Sequence, residues 1–215
     1  MEPRRLMIVD DHPIVRHGIA QLLSRQADLV CELQADDADT ALRLLREHPV
    51  DLVITDISMP GLSGLDLTRR VVAGWPELPV LVLSMHEEAA YADRAFAAGA
   101  RGYLTKQGAT DRLLDAVRRL LQGGVYFGPA IEQRMLAGLR GQAAAPGVPG
   151  ILSKLNEREF EVLQMLAQGL SSAEMAARIN RSVKSVEAYR ASLRQKLGAR
   201  TVPELTRLAI EVCSG

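Results

Sequence analysis

Five polar residues follow short apolar runs of the sequence, and their types suit the transfer of a phosphoryl group. They are Asp10, Asp11, Asp56, Ser84 and Lys106. Carboxylates within a few ångströms of one another repel, and a hard divalent cation with oxygen ligands, usually Mg²⁺, relieves that repulsion. A carboxylate beside such a cation and a lysine can attack phosphorus, because both positive charges neutralise the transferring group. The expected product is an aspartyl phosphate.

The apolar runs that would bring these residues together are continuous, whereas a half-exposed strand would alternate apolar and polar residues. Three of the runs are Leu6–Val9, Leu52–Ile54 and Val80–Leu83, and further strands are predicted at Leu29–Leu33 and Gly102–Leu104. Continuous short runs are typical of parallel strands buried on both faces. Because helical patterns separate the strands, this part of the chain predicts an α/β fold with a doubly wound parallel sheet. Such sheets place their functional site at the carboxyl ends of the strands.

A change of composition after the last of these helices indicates a second domain. Residues 123–150 hold seven glycines and three prolines, and we interpret residues 123–152 as a linker with a short helix at 129–140. The predicted domains on either side are residues 1–122 and residues 153–215.

Four compact helical patterns follow the linker, so the second domain is predicted to be small and all-α. Two of its helices begin with capping boxes, which are Asn156 with Glu159 and Ser171 with Glu174. The helices predicted at Ser171–Ile179 and Ser182–Leu197 are separated only by Asn180 and Arg181. This short turn is typical of a helix-turn-helix.

Composition and charge restrict the class of protein. Apolar residues make up 47% of the chain and charged residues 24%, which is the balance of a soluble globular protein. No apolar run approaches the roughly 18 residues of a membrane span, and the first residues lack a signal-peptide pattern, so a cytoplasmic location is expected. Residues 1–152 carry 16 basic and 19 acidic side chains, whereas residues 153–215 carry 10 and 7. The positive second part permits a nucleic-acid partner.

Four segments of the first domain resemble the receiver domain of response regulators in order and spacing. They are Val9–Pro13, Thr55–Gly61 with Gly64, Leu83–His86 and Ala98–Lys106. The resemblance covers residues 4–122 and implies a flavodoxin-like fold with strand order 2-1-3-4-5. It implies that Asp56 is the phosphoacceptor and that Asp11 and Asp56 bind Mg²⁺ directly. Asp10 would bind the ion through water, and the backbone carbonyl of Ser58 would complete the protein's ligands.

The same resemblance implies how a phosphoryl group would be sensed. Lys106 would pair with phosphoryl oxygens, Ser84 would move to hydrogen-bond one of them, and Tyr103 would turn into the space that Ser84 leaves. His86 follows Ser84 closely, so it either tunes dephosphorylation or is a solvated surface histidine. The other histidines, which are His12, His17 and His48, lack partners at metal-ligand spacing and are interpreted as surface or capping residues.

The second domain, over residues 153–213, resembles the LuxR-type helix-turn-helix of NarL/FixJ-class regulators. The matching segments are Leu152–Ser153 with Leu155, Glu157–Glu159 with Glu161–Leu163, Leu166–Gly169, Glu174–Ala176, Ser185–Arg190 and Lys196–Arg200. On a helical wheel, Val186, Leu193 and Leu197 define the buried face of the helix at 182–197. Val183 and Tyr189 flank that face. The opposite face carries Lys184, Ala188, Ala191 and Gln195.

A recognition helix inserts such an outer face into the major groove of DNA. The resemblance implies base-edge contacts near Glu187, Ala188 and Ala191. A methyl side chain can touch a thymine methyl, whereas a carboxylate can accept from cytosine N4. Phosphate contacts are expected from a basic set consisting of Arg181, Lys184, Arg190, Arg194 and Lys196. The apolar residues of the last helix are either pure core or partly a dimer seam.

These features together predict a two-component response regulator. A sensor histidine kinase would phosphorylate Asp56, and the second domain would become free or dimerise on a two-half-site DNA operator. The chain would regulate transcription and have no enzymatic activity beyond slow self-dephosphorylation. Two alternatives stay open. One is a hydrolase of small phosphate esters, disfavoured because Ser58 stands where a second acid is expected; the other is a regulator that does not depend on phosphorylation.

Overall fold

The computed structural model describes residues 2–85, 89–106, 109–129, 131–133 and 155–213. The chain divides into two compact units, Met1–Ala145 and Pro146–Gly215. The division falls within the predicted linker, whose limits stay a prediction because most of it lies outside the described residues. Among the residues described, no helix combines the length and apolar character needed to cross a bilayer.

The first unit contains a five-stranded parallel sheet in the order β2-β1-β3-β4-β5, which confirms the predicted fold. The strands are β1 (Arg4–Val9), β2 (Leu29–Ala35), β3 (Leu52–Asp56), β4 (Val80–Ser84) and β5 (Gly102–Thr105). Every residue of β3 and β4 is buried, as their unbroken apolar runs predict.

Five helices connect and cover the strands. They are α1 (Pro13–Leu23), α2 (Ala38–Glu47), α3 (Gly64–Gly74), α4 (Ala89–Ala97) and α5 (Ala109–Leu121). Apolar residues of α1 and α5, such as Leu23 and Leu120, join the central strands in one hydrophobic cluster. Helix α3 contacts both α2 and α4. The sheet is therefore packed between two layers of helices, and its strand ends remain the accessible edge.

The chain just beyond α5 returns to the edge of the sheet. Tyr126 forms an isolated parallel bridge with Gly102, where the Tyr103 amide donates to the Tyr126 carbonyl at 2.8 Å. Phe127 and Ile131 are buried, and the Phe127 ring packs edge-on against Phe96 with centroids 5.8 Å apart. Of the helix predicted at 129–140, residues 129 and 131–133 are helical, and the rest lies outside the described residues.

The second unit is helical, as predicted. Its helices are α6 (Glu157–Ala167), α7 (Ser172–Arg178), α8 (Val183–Leu197) and α9 (Val202–Cys213). Both predicted capping boxes are present at the starts of α6 and α7. Asn180 takes a left-handed conformation with φ 51° in the turn between α7 and α8. This turn lets the two helices meet as a helix-turn-helix.

A close approach between α3 and β3 fixes the backbone at the carboxyl end of β3. The Gly64 amide donates to the Ile57 carbonyl at 3.0 Å. A Cβ at Gly64 would lie 1.9 Å from the Asp56 carbonyl oxygen and 3.0 Å from Thr55 Oγ1. Only glycine fits between the start of α3 and the backbone of Asp56.

The substitution Gly64→Ala is therefore expected to destabilise the first unit by roughly 1–3 kcal/mol, because backbone must shift to admit the methyl group. The matched control is Gly74→Ala in the same helix, where a Cβ would meet nothing within 4 Å. We expect that control to be neutral or to stabilise by up to about 1 kcal/mol. Urea unfolding followed by the fluorescence of Trp75, the single tryptophan, measures both. Equal midpoints for the two variants would contradict the close approach.

Candidate acidic site and nucleic-acid interface

The sheet brings the predicted phosphoryl-transfer residues to one edge. Asp10 directly follows β1, Asp56 and Ser84 end β3 and β4, and Lys106 directly follows β5. Lys106 Nζ lies 2.8 Å from Asp10 Oδ2 and 2.9 Å from Asp56 Oδ1. The Asp10 and Asp56 side chains are only 1% and 3% exposed. A single ammonium group therefore bridges two buried carboxylates.

A third carboxylate and a histidine adjoin this pair. Asp10, Asp11, His12 and Asp56 each offer one ligand atom, and these atoms lie within 4.8 Å of one another. His12 Nδ1 is 2.8 Å from Asp11 Oδ1 and 3.3 Å from Asp10 Oδ1. His12 is the N-cap of α1 and its side chain is 65% exposed, as expected of a surface or capping residue. The expectation that it has no partner at metal-ligand spacing is wrong, because the turn after β1 folds its ring back onto the two preceding carboxylates. Its position next to Asp10 and Asp11 in the sequence could have indicated this contact. His17 and His48 are exposed, as expected.

The donors of this cluster fit a hard divalent cation. Asp11 Oδ1 and Asp56 Oδ1 are buried atoms that accept no hydrogen bond from the described residues. Asp11 Oδ1 lies 2.8 Å from His12 Nδ1, and Asp56 Oδ1 lies 2.9 Å from Lys106 Nζ. Buried anionic oxygens with unused lone pairs are costly unless a cation or a donor approaches them. The acidic cluster could therefore hold a metal ion.

Burial controls the protonation of the central carboxylate. It raises the pKa of Asp56 from 3.8 to about 6, against the opposing effect of Lys106, and the nearby Asp10 and Asp11 charges raise the pKa further. For Lys106, burial favours the neutral amine, but Asp56 and Asp10 outweigh it and hold the pKa above its ordinary value. Lys106 is thus charged at neutral pH, and Asp56 is mostly ionised there.

The remaining receiver residues surround this centre. Ser84 is fully buried and stands opposite Thr105 in the sheet register. Tyr103 is 8% exposed, so in this conformation its side chain is already inside, at a 520 Å³ cavity shared with Phe127. Ser58 is half-buried two residues after Asp56. His86 lies outside the described residues.

Helix α8 separates a buried face from an exposed one, broadly as the wheel predicts. Val186 and Leu193 are buried, and Leu197 is half-buried. Val183, predicted to flank the buried face, is 47% exposed, because it begins the helix where few neighbours cover it. The residues expected to meet DNA bases are all exposed, namely Glu187, Ala188 and Ala191.

The five predicted phosphate-binding cations divide into two groups. Arg190 Nη1 lies 3.1 Å from Glu187 Oε1, and Lys196 Nζ lies 2.7 Å from Glu159 Oε2. The others form no ion pair with any residue that the structure describes; they are Arg181, Lys184 and Arg194. Sequence periodicity showed which residues are exposed but not which cations are already paired.

The Glu159 carboxylate ties the recognition helix to α6. It is 2% exposed and accepts hydrogen bonds from Ser192 Oγ at 2.6 Å, from Lys196 Nζ at 2.7 Å and from the backbone amide of Asn156 at 2.8 Å. Burial favours the protonated acid, but these donors outweigh it and hold the pKa of Glu159 below its ordinary value. One carboxylate therefore caps α6 and fixes the C-terminal half of α8.

Comparison with protein families matches each unit in turn. Residues 6–118 match the response regulator receiver domain, and residues 153–209 match the bacterial regulatory proteins of the luxR family. The chain belongs to the LuxR-type response regulators. The regulator is thus a two-component response regulator with a LuxR-type DNA-binding domain, as its sequence predicts.

Full-length relatives agree with this assignment. The regulator is 36% identical to the Fimbriae Z protein of Salmonella typhimurium over 95% of each chain. It is 36% identical to the transcriptional regulatory protein UhpA of Escherichia coli over 93% of this chain and 94% of that one. Its structure is similar to RcsB of Salmonella enterica serovar Typhimurium bound to promoter rprA with phosphomimetic BeF3-, with 26% identity, TM-score 0.57 and full coverage of both chains.

The raised pKa of Asp56 makes the stability of the metal-free regulator depend on pH. The folded state binds this proton more tightly than the unfolded state does. Its contribution to the free energy of unfolding is therefore complete below about pH 4 and is lost as pH rises through 6. The loss is at most about 3 kcal/mol. We expect Asp56→Asn to remove this loss, so that its advantage over wild type grows from pH 4 to 7.

Urea unfolding of the first unit in EDTA, followed by Trp75 fluorescence, measures the effect. Asp39→Asn, at a carboxylate whose side chain is 82% exposed, is the matched control for the removal of one acidic charge. Parallel pH profiles for wild type and Asp56→Asn would contradict the raised pKa.

Proposed function

We propose that a sensor histidine kinase transfers a phosphoryl group to Asp56 and that this transfer switches sequence-specific DNA binding and transcription. The observation that carries the proposal is the position of the Asp56 carboxylate. It is buried at a strand end, 2.9 Å from the Lys106 ammonium, and shares a cluster with Asp10 and Asp11. A buried carboxylate with a fixed cation on one side and further carboxylate oxygens on the other is suited to attack an electrophilic phosphorus.

The acidic cluster would hold Mg²⁺ during the transfer. Asp11 and Asp56 are proposed as direct ligands, Asp10 as a ligand through water, and the Ser58 carbonyl as the remaining protein ligand. The ion would supply positive charge against the oxygens of the transferring group. Asp11 and Asp56 offer buried oxygens, and the ligand atoms of the acidic cluster lie within 4.8 Å of one another, which supports this assignment.

In the transfer itself, an Asp56 oxygen forms a bond to phosphorus as the bond between phosphorus and the kinase's histidine nitrogen breaks. Asp56 must be ionised to attack, and with a pKa of about 6 most molecules meet this condition at neutral pH. Lys106 is already paired with the carboxylate, so its ammonium can follow the new charge onto a phosphoryl oxygen without a large movement. A slow self-dephosphorylation would reverse the modification.

Ser84 and Tyr103 would report the modification to the rest of the regulator. The Ser84 hydroxyl would hydrogen-bond a phosphoryl oxygen, and the free energy of this contact limits how far the conformational equilibrium can shift. Tyr103 borders the same cavity as Phe127 and is hydrogen-bonded through its amide to Tyr126. A rearrangement of Tyr103 therefore acts directly on the chain that leads toward the second unit.

The second unit would read DNA through α8. We propose base-edge contacts by the exposed residues Glu187, Ala188 and Ala191, with phosphate contacts from the basic set. Arg181, Lys184 and Arg194 are the best supported members, because they have no ion-pair partner among the described residues. Two regulators on a two-half-site operator gain affinity from linkage, so dimerisation alone could switch occupancy.

Phosphorylation is tested with acetyl phosphate and Mg²⁺. Intact-mass measurement should show one added phosphoryl group on wild type and on the exposed control Asp39→Asn, and none on Asp56→Asn, since only Asp56 combines burial with the Lys106 contact. EDTA should prevent the addition. A phosphoryl group on the Asp56→Asn protein would place the acceptor elsewhere.

The DNA switch is tested by selecting duplexes from a random-sequence pool with the phosphorylated regulator. Phosphorylation should then tighten binding to the selected duplex at least about fivefold, the usual lower range of allosteric coupling. The Asp56→Asn protein, treated in the same way, should show no change. If Asp56→Asn binds and regulates as wild type does, the regulator works independently of phosphorylation.

A further inference from the structure

Three side chains link the two helices of the helix-turn-helix. Ser172 is the first residue of α7, and Glu187 and Arg190 lie one turn apart on α8. Ser172 Oγ donates to Glu187 Oε1, and Arg190 Nη1 donates to the same Oε1 at 3.1 Å and also to Ser172 Oγ. The Ser172–Glu187–Arg190 cluster therefore closes on itself.

The contacts of the cluster share one hydroxyl and one guanidinium nitrogen. The Ser172 hydroxyl has one hydrogen, which goes to Glu187, while its lone pair accepts from Arg190. Of the guanidinium, Nη1 is the atom that takes part in the cluster. The Glu187 side chain is nevertheless 55% exposed, whereas that of Arg190 is 18% exposed. Within the described part of the chain, Glu187 Oε2 accepts no hydrogen bond. The cluster thus presents one free carboxylate oxygen on the exposed side of α8.

The cluster changes what a carboxylate can do on a DNA-binding surface. An unpaired glutamate would be repelled by phosphate and would occupy several rotamers, but Arg190 neutralises the charge and Ser172 restrains the carboxylate. Ion pairs at a protein surface add little to folding stability, so the main effect is on the position of Glu187.

The chemistry of the free oxygen selects a base. An ionised carboxylate only accepts hydrogen bonds, and the donors in the major groove are the amino groups of cytosine and adenine. Adenine also presents its N7 acceptor beside the amino group, which repels a carboxylate, whereas cytosine presents the amino group alone. The neighbouring Ala188 and Ala191 offer only methyl groups. Glu187 is therefore the acceptor among the three residues expected to meet bases.

We propose that Ser172 and Arg190 are positioning residues that hold Glu187 to accept a hydrogen bond from a cytosine amino group in the major groove. Arg190 then acts through Glu187, and this role replaces the phosphate contact proposed for it as a member of the basic set. This inference rests on the proposed DNA contacts of α8 and adds Ser172, which lies on the other helix and has no place among the residues expected from the sequence.

The test is a selection from a random-sequence duplex pool with the full-length phosphorylated regulator and its variants. Wild type should enrich cytosine at one position of each half-site. Glu187→Gln should lose that preference and gain adenine, which a side-chain amide can pair with. Ser172→Ala should reduce the cytosine preference at least about fivefold, the lower end for one specific base contact, with unchanged binding to unselected DNA. Ser172→Thr, which keeps the hydroxyl, should restore it.

Matched controls separate positioning from folding and from charge. Glu211→Gln, at an exposed position of α9, should leave the selected sequence unchanged. Arg190→Gln should lose the cytosine preference while the slope of log affinity against log salt stays as in wild type. Arg194→Gln should reduce that slope by about one and keep the preference.

Four results would overturn the proposal: no enriched cytosine in wild type, an unchanged preference in Ser172→Ala, an equal loss of affinity for all sequences in that variant, or a reduced salt slope in Arg190→Gln. If the phosphorylated wild type enriches no sequence at all, sequence-specific DNA binding itself fails as well. If the selected site lacks cytosine, only the proposed role of the Ser172–Glu187–Arg190 cluster is contradicted.

Discussion

A single ammonium group between two buried carboxylates is the interaction on which the first unit depends. Lys106 compensates Asp10 and Asp56, each of which would be costly to bury alone. One positive charge cannot balance three acidic groups, so the strand ends keep an excess of negative charge. Burial, with a smaller effect of the Asp10 and Asp11 charges, raises the pKa of Asp56 in spite of Lys106. This imbalance is what a divalent cation and then a phosphoryl group can relieve. The parallel sheet holds the charges in place, because each sits at the end of a different strand.

The sequence predicted those parts of the structure that depend on local pattern. Continuous apolar runs predicted β3 and β4 as buried strands, and the capping residues Asn156 and Ser171 predicted where two helices begin. Both signals involve residues within a few positions of one another. Asp56 and Lys106 were found for a related reason: strand ends of a parallel sheet must share an edge.

The local sequence pattern could not predict side-chain conformations or contacts between residues far apart in the chain. The fold of the His12 ring onto Asp11 depends on the path of a loop. The pairing of Lys196 with Glu159 joins residues 37 positions apart, and the contact of Ser172 with Glu187 joins two helices. Charge and spacing alone treat every exposed cation of α8 as equivalent, whereas the folded domain has already engaged Arg190 and Lys196.

The bridge between Tyr126 and β5 also protects the sheet. A terminal strand with unpaired backbone groups invites pairing with another molecule, and natural proteins cover such strands or shorten them. Here the chain that has already left the sheet comes back to occupy the backbone groups of Arg101 and Tyr103, and Phe127 is buried beside it. A receiver fragment that ends at residue 122 would leave the outer edge of β5 unpaired. Aggregation through the uncovered strand would then limit its use as an isolated domain.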